Sequence, residues 1–246
     1  MSSITWTPAA VASELSRWQG ALWRAVEAQH RVATSRLVDT LQEQALLEQL
    51  LDHAKPAAPP SPRHYLLTTP FRYPAPFPGG SRYRRATDPG VFYGADERRT
   101  ACAELGYWRW RFLLDTPALP RLEPLPQTLF QAQVDAPAID LTAPPLASDA
   151  PLWRSPTDYS ACQQLAGVAR EAGAGLIRYA SVRDPQQGLC GAVLSLKGLT
   201  ADPLVEQSWL LGVTRERVQW RRDSVLFPEG FEFDCGRWQT VHPAST

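Results

Sequence analysis

The chain has 246 residues, 44% of them hydrophobic, and its 25 Lys and Arg balance its 25 Asp and Glu. This apolar content is ample for a buried core, so we expect a soluble globular protein. A net charge of zero provides no overall positive field, which argues against direct nucleic-acid or membrane binding. No stretch approaches the roughly 20 apolar residues that span a bilayer, and the N-terminus lacks a signal-peptide pattern, so we predict a cytoplasmic location.

The N-terminal part has the spacing of amphipathic helices. Apolar residues recur at three and four positions over residues 15–26 and again over 38–50, and Thr7-Pro8 has the form of a helix start. We therefore predict a helical extension of two or three helices over residues 1–55. The proline-rich run that follows predicts a stiff linker over residues 56–63.

Beyond the linker, short strand-like runs broken by Pro and Gly predict an α+β domain over residues 64–246. Two predicted helices interrupt it, over residues 98–113 and 157–172, and the first has an apolar face formed by Ala101, Leu105, Trp108 and Phe112. The predicted strands cover residues 64–68, 90–93, 129–134, 175–179 and 191–196.

Two proline-rich segments, residues 116–126 and 136–152, are predicted to be loops, so that insertions lie around residues 116–152. The tail from residue 210 mixes aromatic and charged residues, which is typical of closing strands. The four cysteines are isolated, with no Cys-x-x-Cys pair and no histidine at a metal-ligand spacing. We interpret them as small buried hydrophobic residues and predict no metal site.

Arg82, Tyr93 and Glu104 stand at equal intervals of eleven residues. Guanidinium groups bind phosphates bidentately, phenol rings stack on heterocycles, and a carboxylate can bind ribose hydroxyls or stabilise a growing positive charge. Arg82 also follows Gly79-Gly80-Ser81, where small residues let a ligand approach the backbone amides. Together these features favour a nucleotide site.

Each of these residues also has an ordinary structural interpretation. Arg82 belongs to a group of three arginines within four positions, which is equally typical of a solvated charged edge. Tyr93 fits a core or edge tyrosine, and Glu104, set among apolar residues, either faces solvent or belongs to a pocket. Ser181 follows a predicted strand, where serines commonly cap the backbone, and no Gly-x-Ser-x-Gly motif surrounds it.

Over residues 64–196 the sequence resembles the RES-domain family. The resemblance depends on Arg72-Tyr73, on Gly80-Ser81-Arg82-Tyr83, which is similar to the family's Gly-Gly-Arg-Trp stretch, and on Tyr93, Glu104 and Ser181. The chain departs from the family pattern at three positions. Tyr83 and Arg84 stand where Trp and Asn are common, and Ala180 stands where a Pro often precedes the serine.

The resemblance implies an α+β, ADP-ribosyltransferase-like fold with a mixed sheet. It further implies the toxin of a type II toxin-antitoxin system, which arrests growth by cleaving the nicotinamide–ribose bond of NAD through hydrolysis or through phosphorolysis with inorganic phosphate. NAD would be a substrate, with no permanently bound cofactor and no metal. The expected partner is an antitoxin with an Xre-like helix-turn-helix domain. A homodimer of this chain is a further assembly that the sequence neither predicts nor excludes.

The resemblance also implies roles for individual residues. Glu104, Arg82 and Tyr93 are predicted to be catalytic, and Arg72, Tyr73 and Ser181 to bind substrate. Arg72 is assigned as the first phosphate arginine because Tyr73 follows it, although Arg63 lies nearer the usual distance from Arg82. A mono-ADP-ribosyltransferase that modifies a protein, a non-enzymatic nucleotide-binding module and a partner-docking helical bundle are the alternative functions.

Overall fold

The computed structural model describes residues 4–28, 40–54, 63–75 and 78–239. Within these ranges the strands are β1 (Ser16–Glu27), β2 (Phe92–Ala95), β3 (Leu122–Asp140), β4 (Leu176–Ala180), β5 (Leu189–Val193), β6 (Leu204–Val213), β7 (Arg217–Arg222) and β8 (Gly230–Asp234). The α-helices are α1 (Pro8–Ser13), α2 (Leu41–Ala54), α3 (Tyr65–Arg72), α4 (Arg98–Leu114), α5 (Ala150–Trp153), α6 (Ser160–Glu171) and α7 (Gly236–Gln239). Short 3-10 turns cover Leu146–Asp149 and Leu196–Gly198.

The strands form one eight-stranded sheet in the order β1-β2-β5-β4-β3-β6-β7-β8. Strand β1 also pairs with β3, from Ser16 opposite Ala138 to Glu27 opposite Gln127. Because β1 borders both β2 and β3, five strands close into a ring, and β6, β7 and β8 continue the sheet from β3, where β6 pairs over Leu122 to Gln131. Strands β3 and β4 are parallel and the other pairs are antiparallel, so the predicted α+β class with a mixed sheet is confirmed.

The predicted helical extension over residues 1–55 is wrong across β1, which is a central part of the sheet. Trp18, Leu22 and Val26 recur every four residues, and this spacing fits one face of a helix as well as one face of a strand. All three join a core cluster on one face of β1, whereas Trp23 belongs to the cluster on the other. Pairing with β3 therefore decides between the two structures.

The helices that flank β1 follow their sequence signals. Thr7 caps α1, where its Oγ1 accepts a hydrogen bond from the Ala10 amide at 3.2 Å. Helix α2 covers Leu41–Ala54 within the region predicted to be helical. The predicted linker over 56–63 lies outside the described residues except for Arg63.

Two further local predictions are wrong. Residues 64–68, predicted as a strand, belong to helix α3. Parts of the segments predicted as loops, residues 122–126 and 136–140, belong to the long strand β3. Of the prolines in β3, Pro124 lies where the register shifts between Leu122 and Leu125, whereas Pro126 pairs with Leu210 and Pro137 with Arg17 within the ladder. The strands predicted near 90, 129, 175 and 191 and the closing strands of the tail are confirmed.

Helix α4 confirms the prediction over residues 98–113, but its buried face differs from the predicted one. Gly106, Tyr107 and Trp110 are buried against the sheet and the C-terminal strands. Trp108 and Phe112 are exposed, at 44% and 51%. Of the predicted apolar face, Ala101 and Leu105 thus pack in or against the core, whereas Trp108 and Phe112 lie outside it.

The four cysteines are buried and free, as predicted. Burial raises the pKa of each thiol, and for Cys235 the value is about 12. Among the helices of the described ranges, none is long and apolar enough to cross a membrane.

Candidate active site

A cavity of about 460 Å³ opens between α4, strands β1 and β2, and the turn that follows Gly80. This volume lies within the usual range for small-molecule sites. Among the described residues, four arginines and one carboxylate line it, so its charge suits an anionic ligand. The charged lining residues are Arg24, Arg82, Arg84, Arg183 and Glu104. The aromatic lining residues are Trp23, Tyr73, Tyr93, Trp108, Tyr159 and Tyr179.

Ser181 holds the carboxylate of Glu104 in place. Glu104 lies on α4, and the Ser181 hydroxyl, directly after β4, donates a hydrogen bond to its Oε1 at 2.5 Å. The same Oγ accepts the backbone amides of Arg183 at 3.1 Å and Asp184 at 3.0 Å. A hydroxyl has one donor and two acceptor sites, so all three are used within the protein. Ser181 is 1% exposed and does not line the cavity itself.

A second contact fastens the loop after β4 to helix α4. The buried Asp184 accepts a hydrogen bond from Thr100 Oγ1 at 2.8 Å and lies 3.3 Å from Arg99 Nε. Gly188 passes so close that an added Cβ would lie 2.1 Å from Thr100 Oγ1. The loop thus contacts α4 one turn before Glu104 as well as at Glu104 itself.

Arg82 is 8% exposed and lines the cavity from the turn after Gly80. Its Nη1 donates to the carbonyls of Trp153 at 2.9 Å and Ser155 at 2.8 Å. The guanidinium carbon lies 4.6 Å from the ring centroid of Tyr159. These contacts fix the guanidinium plane and connect the turn to the segment between α5 and α6.

Tyr93 fixes the turn that carries Arg82. Its hydroxyl lies 2.8 Å from Ser81 Oγ and accepts the Tyr83 amide at 3.0 Å. Burial raises the pKa of Tyr93, although the hydrogen bonds with the Ser81 hydroxyl and the Tyr83 amide oppose the shift. Gly80 has φ +72°, and a Cβ there would lie 2.1 Å from the Arg84 carbonyl oxygen, so the turn requires glycine.

Of the remaining predicted residues, one lines the cavity and one does not. Tyr73 lines the cavity, and its carbonyl accepts a hydrogen bond from Arg84 Nη2 at 2.9 Å. Arg72 ends α3 and lies 5.7 Å from the Tyr73 ring centroid, but neither it nor Arg63 is among the cavity-lining residues. Four of the six predicted site residues, Arg82, Tyr93, Glu104 and Tyr73, therefore share the cavity surface, and Ser181 lies directly behind it.

Three further lining residues, Arg183, Tyr159 and Arg24, are not among the residues that the sequence predicts. Arg183 Nη2 donates to Tyr159 Oη at 3.1 Å, and its guanidinium carbon lies 3.6 Å from the Tyr107 ring centroid. Its position two residues after Ser181 was the available signal. Arg24 lies on β1, for which a helix was predicted, so nothing local pointed to it.

Comparison with known proteins identifies the family. A model of the RES domain matches residues 54–220, well over half of the chain, so the chain belongs to the RES-domain family. It is also similar to a chain in the crystal structure of the M. tuberculosis MbcT–MbcA toxin–antitoxin complex, at 13% identity over 95% of each chain with a TM-score of 0.47. No curated protein matches the sequence.

Proposed function

We propose that this RES-domain protein is the toxin of a toxin-antitoxin pair and that it cleaves the nicotinamide–ribose bond of NAD. The observation that carries the proposal is the Glu104 carboxylate, fixed by Ser181 in a cavity that four arginines line. The resemblance to the RES family supplies the ligand, since it implies NAD and an ADP-ribosyltransferase-like core.

The chemistry of the bond explains why such a carboxylate is needed. As the bond breaks, its electron pair moves to the nicotinamide nitrogen, which becomes neutral, and positive charge grows on the ribose. Glu104 would accept a hydrogen bond from a ribose hydroxyl, and this contact strengthens as the charge develops, which favours the transition state over the bound substrate. Phosphate or water would then attack the ribose carbon, giving ADP-ribose-1''-phosphate or ADP-ribose.

The other lining residues suit the two ends of a dinucleotide. Arg82 would bind a phosphate with the part of its guanidinium that does not hold the Trp153 and Ser155 carbonyls. Tyr73 and Tyr93 would shape the nicotinamide–ribose end, and Arg72 would approach phosphates from the end of α3. Ser181 would act through Glu104, because its three hydrogen bonds already go to the Glu104 carboxylate and to the amides of Arg183 and Asp184.

Incubation of the purified protein with NAD, with and without inorganic phosphate, tests the proposal. We expect release of nicotinamide, and the second product distinguishes phosphorolysis from hydrolysis. Glu104→Gln is expected to lower turnover on the order of 10²-fold or more. The matched control is Glu97→Gln, an exposed carboxyl just before α4 that makes no side-chain capping bond.

Other outcomes separate the alternatives. Label transferred from NAD to a protein would indicate mono-ADP-ribosylation. Binding of NAD without nicotinamide release would indicate a non-enzymatic module, and equal activity in Glu104→Gln and Glu97→Gln would remove Glu104 from the mechanism. The antitoxin proposed from the family resemblance carries an Xre-like helix-turn-helix domain. Growth arrest on expression that co-expression of such a neighbouring gene relieves would support that pairing, and arrest that it leaves unchanged would contradict it.

A further inference from the structure

Arg24 differs from the other arginines of the cavity in how it is held. Arg82, Arg84 and Arg183 each donate to two oxygen acceptors of the protein. Arg24 donates through Nη1 to the Tyr93 carbonyl at 2.8 Å, and its Nε is buried without a hydrogen-bond partner. Among the described residues, no carboxylate lies within ion-pair distance of it.

The surroundings of Arg24 make this arrangement costly. Its guanidinium carbon lies 4.8 Å from the ring centroid of Phe92, which attracts the cation only weakly compared with a counter-ion. Burial lowers the pKa of Arg24 to about 10. A buried cation with an unused hydrogen-bond donor is unfavourable unless an anion pairs with it and accepts that hydrogen bond. A carboxylate or phosphate has the geometry to accept two parallel hydrogen bonds from a guanidinium group.

Because Arg24 lines the cavity, a ligand bound in this cavity can supply the anion that pairs with it. Trp23, Arg24 and Ala25 all line the cavity that holds Glu104, so β1 forms one of its walls. This strand precedes the part of the chain that matches the RES domain, residues 54–220. The cavity therefore contains a cation that the family motifs do not supply.

We propose that Arg24 binds a phosphate group of the ligand in this cavity, an inference that rests on the proposed function. The guanidinium would donate from Nε and a neighbouring nitrogen to two phosphate oxygens while Nη1 keeps its bond to Tyr93. Two sources share this chemistry: the pyrophosphate of the dinucleotide and the inorganic phosphate that would attack the ribose.

The test compares wild-type protein with Arg24→Gln. Calorimetry with ADP-ribose measures binding through the pyrophosphate, and the inorganic phosphate concentration that half-saturates NAD loss measures the second source. Loss of a hydrogen bond to a charged group predicts at least about tenfold weaker binding of one of the two. The control is Arg17→Gln on the same strand, whose exposed guanidinium pairs with Asp135 on the surface and should change neither value by more than about twofold.

Every result then bears on the proposal. A tenfold loss for ADP-ribose assigns Arg24 to the pyrophosphate, a tenfold shift in phosphate saturation alone assigns it to the attacking anion, and no change in either overturns the inference. If Arg24→Gln does not fold, Arg24→Lys decides, since a single ammonium in place of the fork should weaken binding at least about threefold. Wild-type affinity in Arg24→Lys would overturn the proposal.

If the proposed function is wrong, the measurements differ from those expected if Arg24 alone has no role in binding. If the wild-type protein neither binds ADP-ribose nor releases nicotinamide from NAD, the NAD assignment fails. Titration with pyrophosphate alone then tests the anion site. Heat of binding in wild type that disappears in Arg24→Gln supports the site, and the absence of binding in wild type overturns it.

Discussion

Ser181 and Glu104 are 77 positions apart in sequence, yet the Ser181 hydroxyl donates to the Glu104 carboxylate at 2.5 Å. The serine cannot also bind a ligand without giving up one of its three hydrogen bonds. Its arrangement is that of a positioning residue, which orients the acid and at the same time secures the loop after β4.

Ser181→Ala is expected to lower kcat for NAD cleavage on the order of 10²-fold, because the carboxylate loses its orientation. The KM for NAD should change less than about threefold if Ser181 does not touch the ligand. Two buried amides would lose their acceptor, which should cost about 1–3 kcal/mol of unfolding free energy. Steady-state kinetics and chemical denaturation measure these effects.

The control for that experiment is Ser195→Ala, which removes the serine that caps a 3-10 turn, where its Oγ accepts the Lys197 amide. This change should lower stability by about 1 kcal/mol and leave kcat unchanged. A Ser181→Ala enzyme with normal kcat and a greatly raised KM would instead support direct binding of the ligand by the serine.

Tyr93→Phe tests whether the phenol acts through the turn that holds Arg82. The ring and its cavity surface remain, but the Tyr83 amide and Ser81 hydroxyl lose a partner. We expect a loss of about 1–3 kcal/mol in unfolding free energy and about a tenfold fall in kcat/KM as Arg82 moves. Tyr65→Phe, at an exposed position on α3, is the control. Unaltered stability in Tyr93→Phe would contradict the role assigned to the hydroxyl.

Gly188→Ala should destabilise the loop that supports Ser181. The new Cβ would lie 2.1 Å from Thr100 Oγ1, and turning the threonine away breaks its bond to Asp184. We expect about 1–3 kcal/mol of lost stability. In the double variant Gly188→Ala/Thr100→Ala the 2.1 Å contact is removed, so the losses of stability from the two single substitutions should be less than additive. Thermal unfolding of the four proteins measures the coupling, and strict additivity would refute it.

Alkaline pH is expected to lower stability through the buried thiols. Burial raises the pKa of all four cysteines above the ordinary value of 9.0. The unfolded chain therefore releases protons first, and unfolding becomes easier from pH 9 upward until the folded pKa is reached. For Cys235 the window runs from 9.0 to about 12.

Urea denaturation at pH 8, 9 and 10 under reducing conditions would show this fall. Cys235→Ala should give a shallower pH dependence, because one of the four contributions is removed. A free energy of unfolding that stays constant across this range would show that the thiols ionise equally in the folded and unfolded states.

Several features of the molecule were determined by the sequence itself. The local signals for α1, α4 and α6 predicted real helices, and the eleven-residue spacing selected three residues, Arg82, Tyr93 and Glu104, that line one cavity. These predictions succeed because capping, helical period and residue chemistry act over a few positions. They also sufficed to suggest the family to which the chain belongs.

Other features were decided by tertiary structure alone. The four-residue spacing in β1 fits a helix or a strand, and only pairing with β3, more than a hundred residues later, selects the strand. The same pairing brings Arg24 to the cavity, while the fold leaves Arg72 off its surface and places Ser181 behind Glu104. Short-range patterns cannot encode these outcomes, because each depends on which distant segments the sheet brings together.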